Sequence, residues 1–401
     1  MFNSLKFKVI LFGFIFTFFS SFGQSYFLGL FNSSIREALS ITHGQFGSIY
    51  ASATLCSSLL LIWVGKKIDD VNIFKFAFFV TILLSFACFF FSRITSVFLL
   101  FISIFLMRFS GQGMMSHTAS TTISRYFTRT RGRALSISWF GLSSAEFIMP
   151  VLMVYLLTII DWQNLWLIFS ITVLIVLPIV SFLLIKNLNL DSREANDEDK
   201  KEVEIKQWKR REVIKDYRFY IISSNMLAMP WIFTGFAVFQ SFIQTSKGWG
   251  PYVIAQSFMS YSILSVLTLF LSGFLIDKFT SRKLLIYMNI PLLLSVIVLF
   301  FFDTPVTAFV FLGLVGISNG FANILGSSTW AELYGVKYLG SIKALTTALM
   351  VFATAFGTAL FGYLIDIGFT VGDIAVVSGT YIFISLILLF FVRKKLNPVI
   401  I

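Results

Sequence analysis

Arg108 opens the stretch RFSGQGMMSHTASTTISRYFTRTRGR, residues 108–133, and the next basic residue, Arg125, lies seventeen positions further on. Its surroundings are apolar enough to sit in a bilayer, where a charge costs about 2.5–3.5 kcal/mol on insertion scales and therefore faces a cavity or a partner. At 1.5 Å per residue, Arg108 stands about 25 Å from Arg125 at the membrane boundary, in the outer half. Its planar guanidinium can take a carboxylate through two parallel hydrogen bonds. Two roles fit: a clamp for an anionic solute, or a structural ion pair or outward-snorkelling arginine. Glu146 lies about 18 Å inside the next apolar stretch. A carboxyl that exchanges an arginine partner for solvent changes its proton affinity and can carry a proton; the other reading is a fixed pair with Arg108 or another helix. His117, nine residues from Arg108 and rotated by about 180° at 100° per residue, falls outside such a site. Cys56 and Cys88 lie in apolar stretches without metal-ligand spacing and read as packing residues.

The elements that must position these residues follow from composition. Of 401 residues, 57% are hydrophobic and 12% charged, and mean hydropathy is +0.87, whereas soluble domains carry roughly a quarter charged residues. The chain is an integral membrane protein, and its 50 Phe read as lipid-facing filler. Apolar windows long enough to span a bilayer recur at 9–31, 45–65, 74–92, 97–123, 134–158, 164–186, 219–244, 252–275, 284–302, 306–331, 344–365 and 373–392. The first is too long for a secretory signal core and lacks a small-x-small cleavage site, so it reads as a spanning helix. Thr42 to Gln45, THGQ, spells a capping box at the start of the second. The polar break at 187–218, either a solvated linker or a surface helix, separates six spans in 1–186 from six in 219–401.

Counting basic residues on alternate sides puts 27 of 31 on the face that holds both termini. Cytoplasmic segments retain positive charge, so both termini are expected in the cytoplasm, in the cell (inner) membrane. The +12 net charge is then explained by the inner membrane surface, and no nucleic-acid partner is needed. No G-x-x-x-x-G-K-[ST] signature occurs, which argues against ATP-driven transport by this chain.

The halves repeat. Gly65 and Asp69 recur 208 residues later as Gly273 and Asp277, the stripe Gln112, Ser116, Ser120 recurs 207 later as Asn319, Asn323, Ser327, and Gly132 matches Gly340. Two six-helix halves of the same orientation, with a site at the midplane, form the architecture of many secondary transporters.

These residues make the sequence resemble the major facilitator superfamily over essentially its full length. The family's loop signature Gly-x-Leu-x-Asp-Arg, followed by basic residues, is matched after span 8 by Gly273, Leu275, Asp277, Lys278, Arg282 and Lys283. After span 2 the signature is degenerate, keeping Gly65 and Asp69. RFSGQG matches a second signature, an arginine in span 4 before a Gly-rich turn, at Arg108, Gly111 and Gly113. The basic start of span 5, RGRAL at Arg131 to Leu135, is similar to organic-anion carriers of the monocarboxylate or oxalate–formate kind. The Gly-Pro pair of drug–proton antiporters is missing from GLSSAEFIMP.

The resemblance implies an all-α integral membrane fold of twelve transmembrane helices in two six-helix pseudo-repeats. It also implies a cavity lined by spans 1, 4, 7 and 10. Those spans offer Gly13, Thr17, Ser20 and Gln24, then Arg108 and Gln112, then Asn225 and the Pro230-Trp231 step, then Asn319, Asn323 and Trp330; each polar group among them can instead serve an interhelical hydrogen bond. Gly65, Asp69, Gly273 and Asp277 become gate elements, Asp69 reaching the start of span 11 at Gly340 to Lys343 and Asp277 the start of span 5 at Gly132 and Arg133, with Arg282 in the second loop. The expected function is secondary active uptake of a small organic anion by alternating access with proton symport through Glu146, in a monomer without cofactor, metal or catalytic residues. An exporter of amphiphilic compounds on the same fold and a non-transporting solute sensor are the alternatives.

Overall fold

A backbone inside a bilayer must satisfy its own hydrogen bonds, and a long apolar stretch does so as a helix. The computed structural model describes residues 5–127, 130–186 and 206–398, excepting the side chains of Asp69, Arg131, Asp277 and Ser327. Among the described residues, twelve helices are long and apolar enough to cross a membrane and there is no strand. Spans 1 to 6 are Leu5–Gly23, His43–Ile68, Ile73–Phe91, Val97–Tyr126, Gly132–Leu156 and Trp162–Ile185. Spans 7 to 12 are Tyr217–Val238, Val253–Ile276, Ser281–Phe301, Pro305–Tyr334, Leu339–Asp366 and Val371–Lys395. The sequence windows and these helices coincide to within a few residues except in span 1, which leaves helical geometry well before residue 31, and span 7, whose helix ends at Val238 and not at 244. Span 2 begins with the expected capping box: Thr42 Oγ1 accepts from Gln45 N at 3.1 Å and Gln45 Oε1 from Thr42 N at 2.9 Å.

The chain forms two compact units, 1–198 and 199–401. In the first, span 1 packs on span 5, span 2 on span 4 and span 3 on span 6. In the second, span 7 packs on span 11, span 8 on span 10 and span 9 on span 12. The same pairing order recurs inside each half, as the sequence repeat requires. Polar groups serve as interhelical glue. Thr17 Oγ1 donates to Ser138 O at 2.5 Å, and Ser85 and Ser170 each donate a hydroxyl hydrogen to the other's backbone carbonyl, at 2.9 and 2.8 Å.

Phenylalanine divides between two roles. Phe274 and Phe391 are each 75% exposed, as lipid-facing residues are. Phe22, Phe27, Phe31 and Phe91, by contrast, are buried against Trp166, with ring centroids 4.4–6.0 Å from it. The filler reading therefore holds for only part of this residue type. Edge-to-face and tilted aromatic contacts build the core where the ends of spans 1 and 3 meet the start of span 6.

Residues 206–218, read from sequence as the end of a linker, fold onto the second unit. Val213 is fully buried, Trp208 N donates to Tyr334 O at 3.0 Å, and Gln207 Oε1 accepts from Lys337 N at 2.9 Å. Asp216 caps span 7 by accepting from Arg218 N at 3.0 Å. It also pairs with the Arg218 guanidinium at 2.8 Å, and Arg218 Nη1 donates to Asn397 O at 2.8 Å. Apolar Trp208 and Val213 among the charges give the segment a face to bury. Residues 187–205 lie outside the described residues.

Candidate functional site

Two broken helices build the surroundings of Arg108. Span 1 runs as an α-helix over Leu5–Ser20, tightens to a 3-10 turn at Ser21–Gly23, and becomes extended at Gln24, with φ −81° and ψ 150°. Helix resumes at Ser25–Leu28. Phe27 N and Leu28 N both turn to Gln24 O, so the Gly23 carbonyl has no helical donor and is open to a side chain. In span 4, Arg108–Met115 adopts the wide π-helical turn, a local distortion frequent at functional sites. The two irregular segments touch backbone to backbone. A Cβ on Gly23 would run into the Gln112 amide and the Met107 carbonyl, and one on Gly111 would stand 2.7 Å from Gly23 N. Only glycine permits that approach.

The approach delivers the guanidinium. Arg108 is 3% exposed, and its Nη1 donates to Gly23 O at 3.1 Å and to Ser25 Oγ at 3.2 Å. Tyr50 of span 2 supports it twice: its ring lies 5.4 Å from the guanidinium carbon, and its hydroxyl donates to Ser25 Oγ at 3.0 Å. A cation over an aromatic face in a dry site gains about 2 kcal/mol or more. Arg108 Nε is buried without a hydrogen-bond partner, and among the described residues Arg108 makes no ion pair. The pairing with Glu146 considered from sequence is not formed.

Glu146 is 8% exposed in span 5 and also has no ion pair among the described residues. Its carboxyl lies within electrostatic reach of Tyr26. Pro150, inside the same helix, cannot donate to the Glu146 carbonyl four residues back, which loosens the helix there. Gln24 and Gln112 are half-buried on the two segments that meet at Gly23 and Gly111. Gln24 and Gln112 thus stand next in sequence to the two glycines at which the segments carrying the Arg108 site meet.

The other span 1 candidates do not join it. Thr17 is bonded to Ser138 O and Phe14 O, Ser20 Oγ donates to Thr17 O at 2.6 Å, and Gly13 abuts Ser138. Small residues on this stripe let span 5 approach, and their hydroxyls are consumed by backbone carbonyls. His117 is structural: its Nε2 lies 3.0 Å from Gly65 O, and Arg125 Nη1 donates to Ile68 O at 3.0 Å. Those bonds fix the end of span 2 to span 4.

The second unit holds a cavity of about 360 Å³ lined by Asn319, Asn323 and Trp330 of span 10, Met226 and Pro230 of span 7, and Lys343, Thr346 and Thr347 of span 11. Asn319 Nδ2 donates to Ser265 Oγ at 2.9 Å, which fixes the amide; Asn323 is exposed. Pro230 withdraws the donor that would meet the Met226 carbonyl. Asn225 and Trp231 do not line this cavity. Asn225 is fully buried, with Nδ2 on Ser385 Oγ at 3.4 Å and its carbonyl accepting from Asn289 Nδ2 at 2.5 Å. Trp231 packs edge-on against Tyr381 and Phe361. Both face away from the cavity because span 7 needs that side for spans 9, 11 and 12.

Among the gate candidates, the side chains of Asp69 and Asp277 lie outside the described residues. Arg133 is exposed, and a Cβ at Gly273 meets nothing within 4 Å. Arg282 is engaged inside its own unit, with Nε 3.3 Å from Glu332 Oε2 and Nη1 2.8 Å from Leu396 O. Among the described residues no His, Cys, Asp and Glu cluster could hold a metal.

Gly23, Ser25 and Tyr50 went unnoticed in the sequence reading. The run SSFGQSY at 20–26 held a signal, since four small or polar residues around a glycine interrupt an otherwise apolar span. Lys343 entered that reading only as a topological charge and as the end of the segment facing Asp69, not as a cavity residue.

The Major Facilitator Superfamily model matches residues 13–265. Among solved structures, a bacterial homologue of the human lysosomal transporter Spinster, inward-facing and unoccupied, superposes with a TM-score of 0.75 at 14% identity, covering 98% of each chain. The nucleoside transporter NupG superposes at 0.69 with 14% identity, covering 98% of this chain and 99% of that one. At these identities the likeness concerns the fold. No functionally curated protein shows significant sequence similarity.

Gly23→Ala is expected to force spans 1 and 4 apart, costing about 1–3 kcal/mol as overpacking does. Gly113→Ala should cost much less, because its Cβ would meet the flexible Leu61 side chain at 3.2 Å. Thermal unfolding of the two purified variants measures this, and equal midpoints would remove the close-approach role of Gly23.

Proposed function

The chain belongs to the major facilitator superfamily, and we propose that it is a secondary carrier of a small organic anion, moved with protons by alternating access. One observation carries the reading: a buried guanidinium whose described partners, Gly23 O, Ser25 Oγ and the Tyr50 ring, are all neutral. Neutral acceptors hold the side chain in place without cancelling its charge, so an anion entering beside Nε supplies both the missing acceptor and the counter-charge. Gln24 and Gln112, half-buried on the two segments that meet at Gly23 and Gly111, are the neutral amides this reading assigns to further hydrogen-bonding groups of the carboxylate. The similarity of RGRAL to organic-anion carriers points the same way.

Glu146 takes the proton-coupling role. It is a buried carboxyl with no fixed ion pair among the described residues, on a helix loosened by Pro150. Such a group binds a proton when dry and releases it when wetted. The lysine-bearing face of the molecule is the cytoplasmic one on this reading, with both termini inside.

An amphiphilic solute is the second reading, favoured by the second unit's cavity, where Met226, Met229, Met288 and Met350 surround a few polar groups. Flexible thioethers accommodate varied apolar shapes. Anion uptake and amphiphile export separate experimentally at Arg108, which only the first reading needs.

Counterflow and proton-driven uptake in proteoliposomes test these roles together. Arg108→Gln should abolish both while the protein still inserts. Arg108→Lys keeps the charge but loses the planar fork and should raise the apparent KM about tenfold or more, the scale of one charged hydrogen bond at about 1.5–3 kcal/mol. Glu146→Gln should retain counterflow and lose proton-driven accumulation. Full anion uptake by Arg108→Gln would reduce Arg108 to a structural residue. We also assign gating to the loop after span 8, which keeps the fuller copy of the family signature, with Lys278 at its Arg position. Asp277→Asn should then impair transport more than Asp69→Asn while leaving solute binding intact, and equal tolerance of both would refute it.

A further inference from the structure

The end of the second unit that bears the C-terminal tail contains a cavity of about 710 Å³ apart from both candidate solute sites, sharing Leu275, Arg282 and Lys283 with the loop signature after span 8. It lies among the end of span 8, the start of span 9 and the end of span 12, and four cations line it: Arg282, Lys283, Arg393 and Lys394. No acidic residue is among its described lining residues. Arg282 is committed to structure, bonded to Glu332, to Leu396 O and to Asn397 Oδ1 at 2.9 Å, and so it ties the tail to span 9. Lys283, Arg393 and Lys394 are exposed and make no ion pair among the described residues. The Arg393 guanidinium lies 3.7 Å from the Phe390 ring centroid, at the apolar margin.

The remaining wall is apolar and faces outward. Phe279 is 43% and Tyr287 56% exposed, and both line the cavity together with Leu275 and Ile286. Three cations without an ion pair among the described residues, beside an exposed apolar flank at the ends of spanning helices, match a molecule with an anionic head and hydrocarbon chains. Basic pockets between spanning helices at a membrane surface bind such headgroups. A free phosphate would use the cations and leave the flank without purpose.

We propose that this cavity is a binding site for an anionic phospholipid, its phosphate held by Lys283, Arg393 and Lys394 and its chains lying along Phe279 and Tyr287. The site is independent of the substrate reading, since none of its residues belongs to the Arg108 cluster or to the cavity at Asn319 and Asn323. Occupancy would bridge spans 8, 9 and 12 on the side where Arg282 already anchors the tail.

Native mass spectrometry of the purified full chain, titrated with phosphatidylglycerol, phosphatidylcholine or glycerol 3-phosphate, tests the proposal. The expected result is phosphatidylglycerol bound about tenfold or more tightly than phosphatidylcholine. The triple variant Lys283→Gln, Arg393→Gln, Lys394→Gln should lose that preference, while Lys66→Gln, Lys67→Gln, Lys75→Gln, which removes equal charge elsewhere, should keep it. If the triple variant fails to fold, Lys283→Gln with Lys394→Gln, two exposed lysines, should still reduce binding severalfold. Equal binding of the two lipids, equal loss in both charge-removal variants, or displacement of the lipid by equimolar glycerol 3-phosphate would each overturn it.

Discussion

A guanidinium inside a membrane protein must be solvated by the protein itself, and the first unit is arranged around that constraint. Arg108 Nη1 is held by backbone and hydroxyl acceptors that are available because span 1 abandons helical geometry at Gln24, while Nε has no hydrogen-bond partner. The break frees the Gly23 carbonyl, the restart places Ser25 beside it, and Tyr50 closes the set from span 2. Two glycines let the broken segment and the π-helical turn of span 4 meet. None of the four features stabilises the fold by itself: a broken helix, a wide turn, a Gly–Gly crossing and a buried charge each cost free energy. They coexist because each satisfies another, and a site that holds charge in a dry place is a reason to keep them.

The second unit resolves the same six-helix pattern differently. At the repeat offset that relates Gln112 to Asn319, Arg108 corresponds to Val315, which is 1% exposed. No buried cation has to be solvated there, and span 10 runs as one uninterrupted helix, Pro305–Tyr334. Its cavity is lined by neutral amides, threonines and methionines, with Lys343 the cation among them. The helix pairing is shared between the halves while the electrostatics are not, so the repeat accounts for the scaffold and the departures from it mark the chemistry.

Most of the scaffold was legible in the sequence, because span length and the capping box at Thr42 are local or compositional signals. The 207–208 residue offset likewise anticipated the recurring helix pairs. The site was less legible. Placing side chains at 100° per residue assumes an unbroken α-helix, and the assumption fails at the two segments around Arg108. The stripe Gly13, Thr17, Ser20 had the spacing of a cavity lining yet serves packing on span 5, since a polar stripe looks the same whether it meets water or another helix. Asn225 and Trp231 failed for a related reason: span 7 has neighbours on both sides, and composition does not say which side is hollow. Ser25 and Tyr50 are brought to Arg108 by tertiary contact alone, across 83 and 58 positions of chain.

The central claim, that Arg108 is held by neutral groups so that an anion can complete it, is tested most directly by ligand-dependent thermal stability of wild type and Arg108→Gln across a panel of carboxylates, nucleosides and cationic amphiphiles. A specific ligand at a hundred times its Kd stabilises the folded state by about 2.7 kcal/mol. The account predicts that at least one carboxylate raises the wild-type midpoint in a concentration-dependent way and leaves that of Arg108→Gln unchanged. Equal carboxylate stabilisation of both proteins, or stabilisation of wild type by cationic amphiphiles alone, would contradict it.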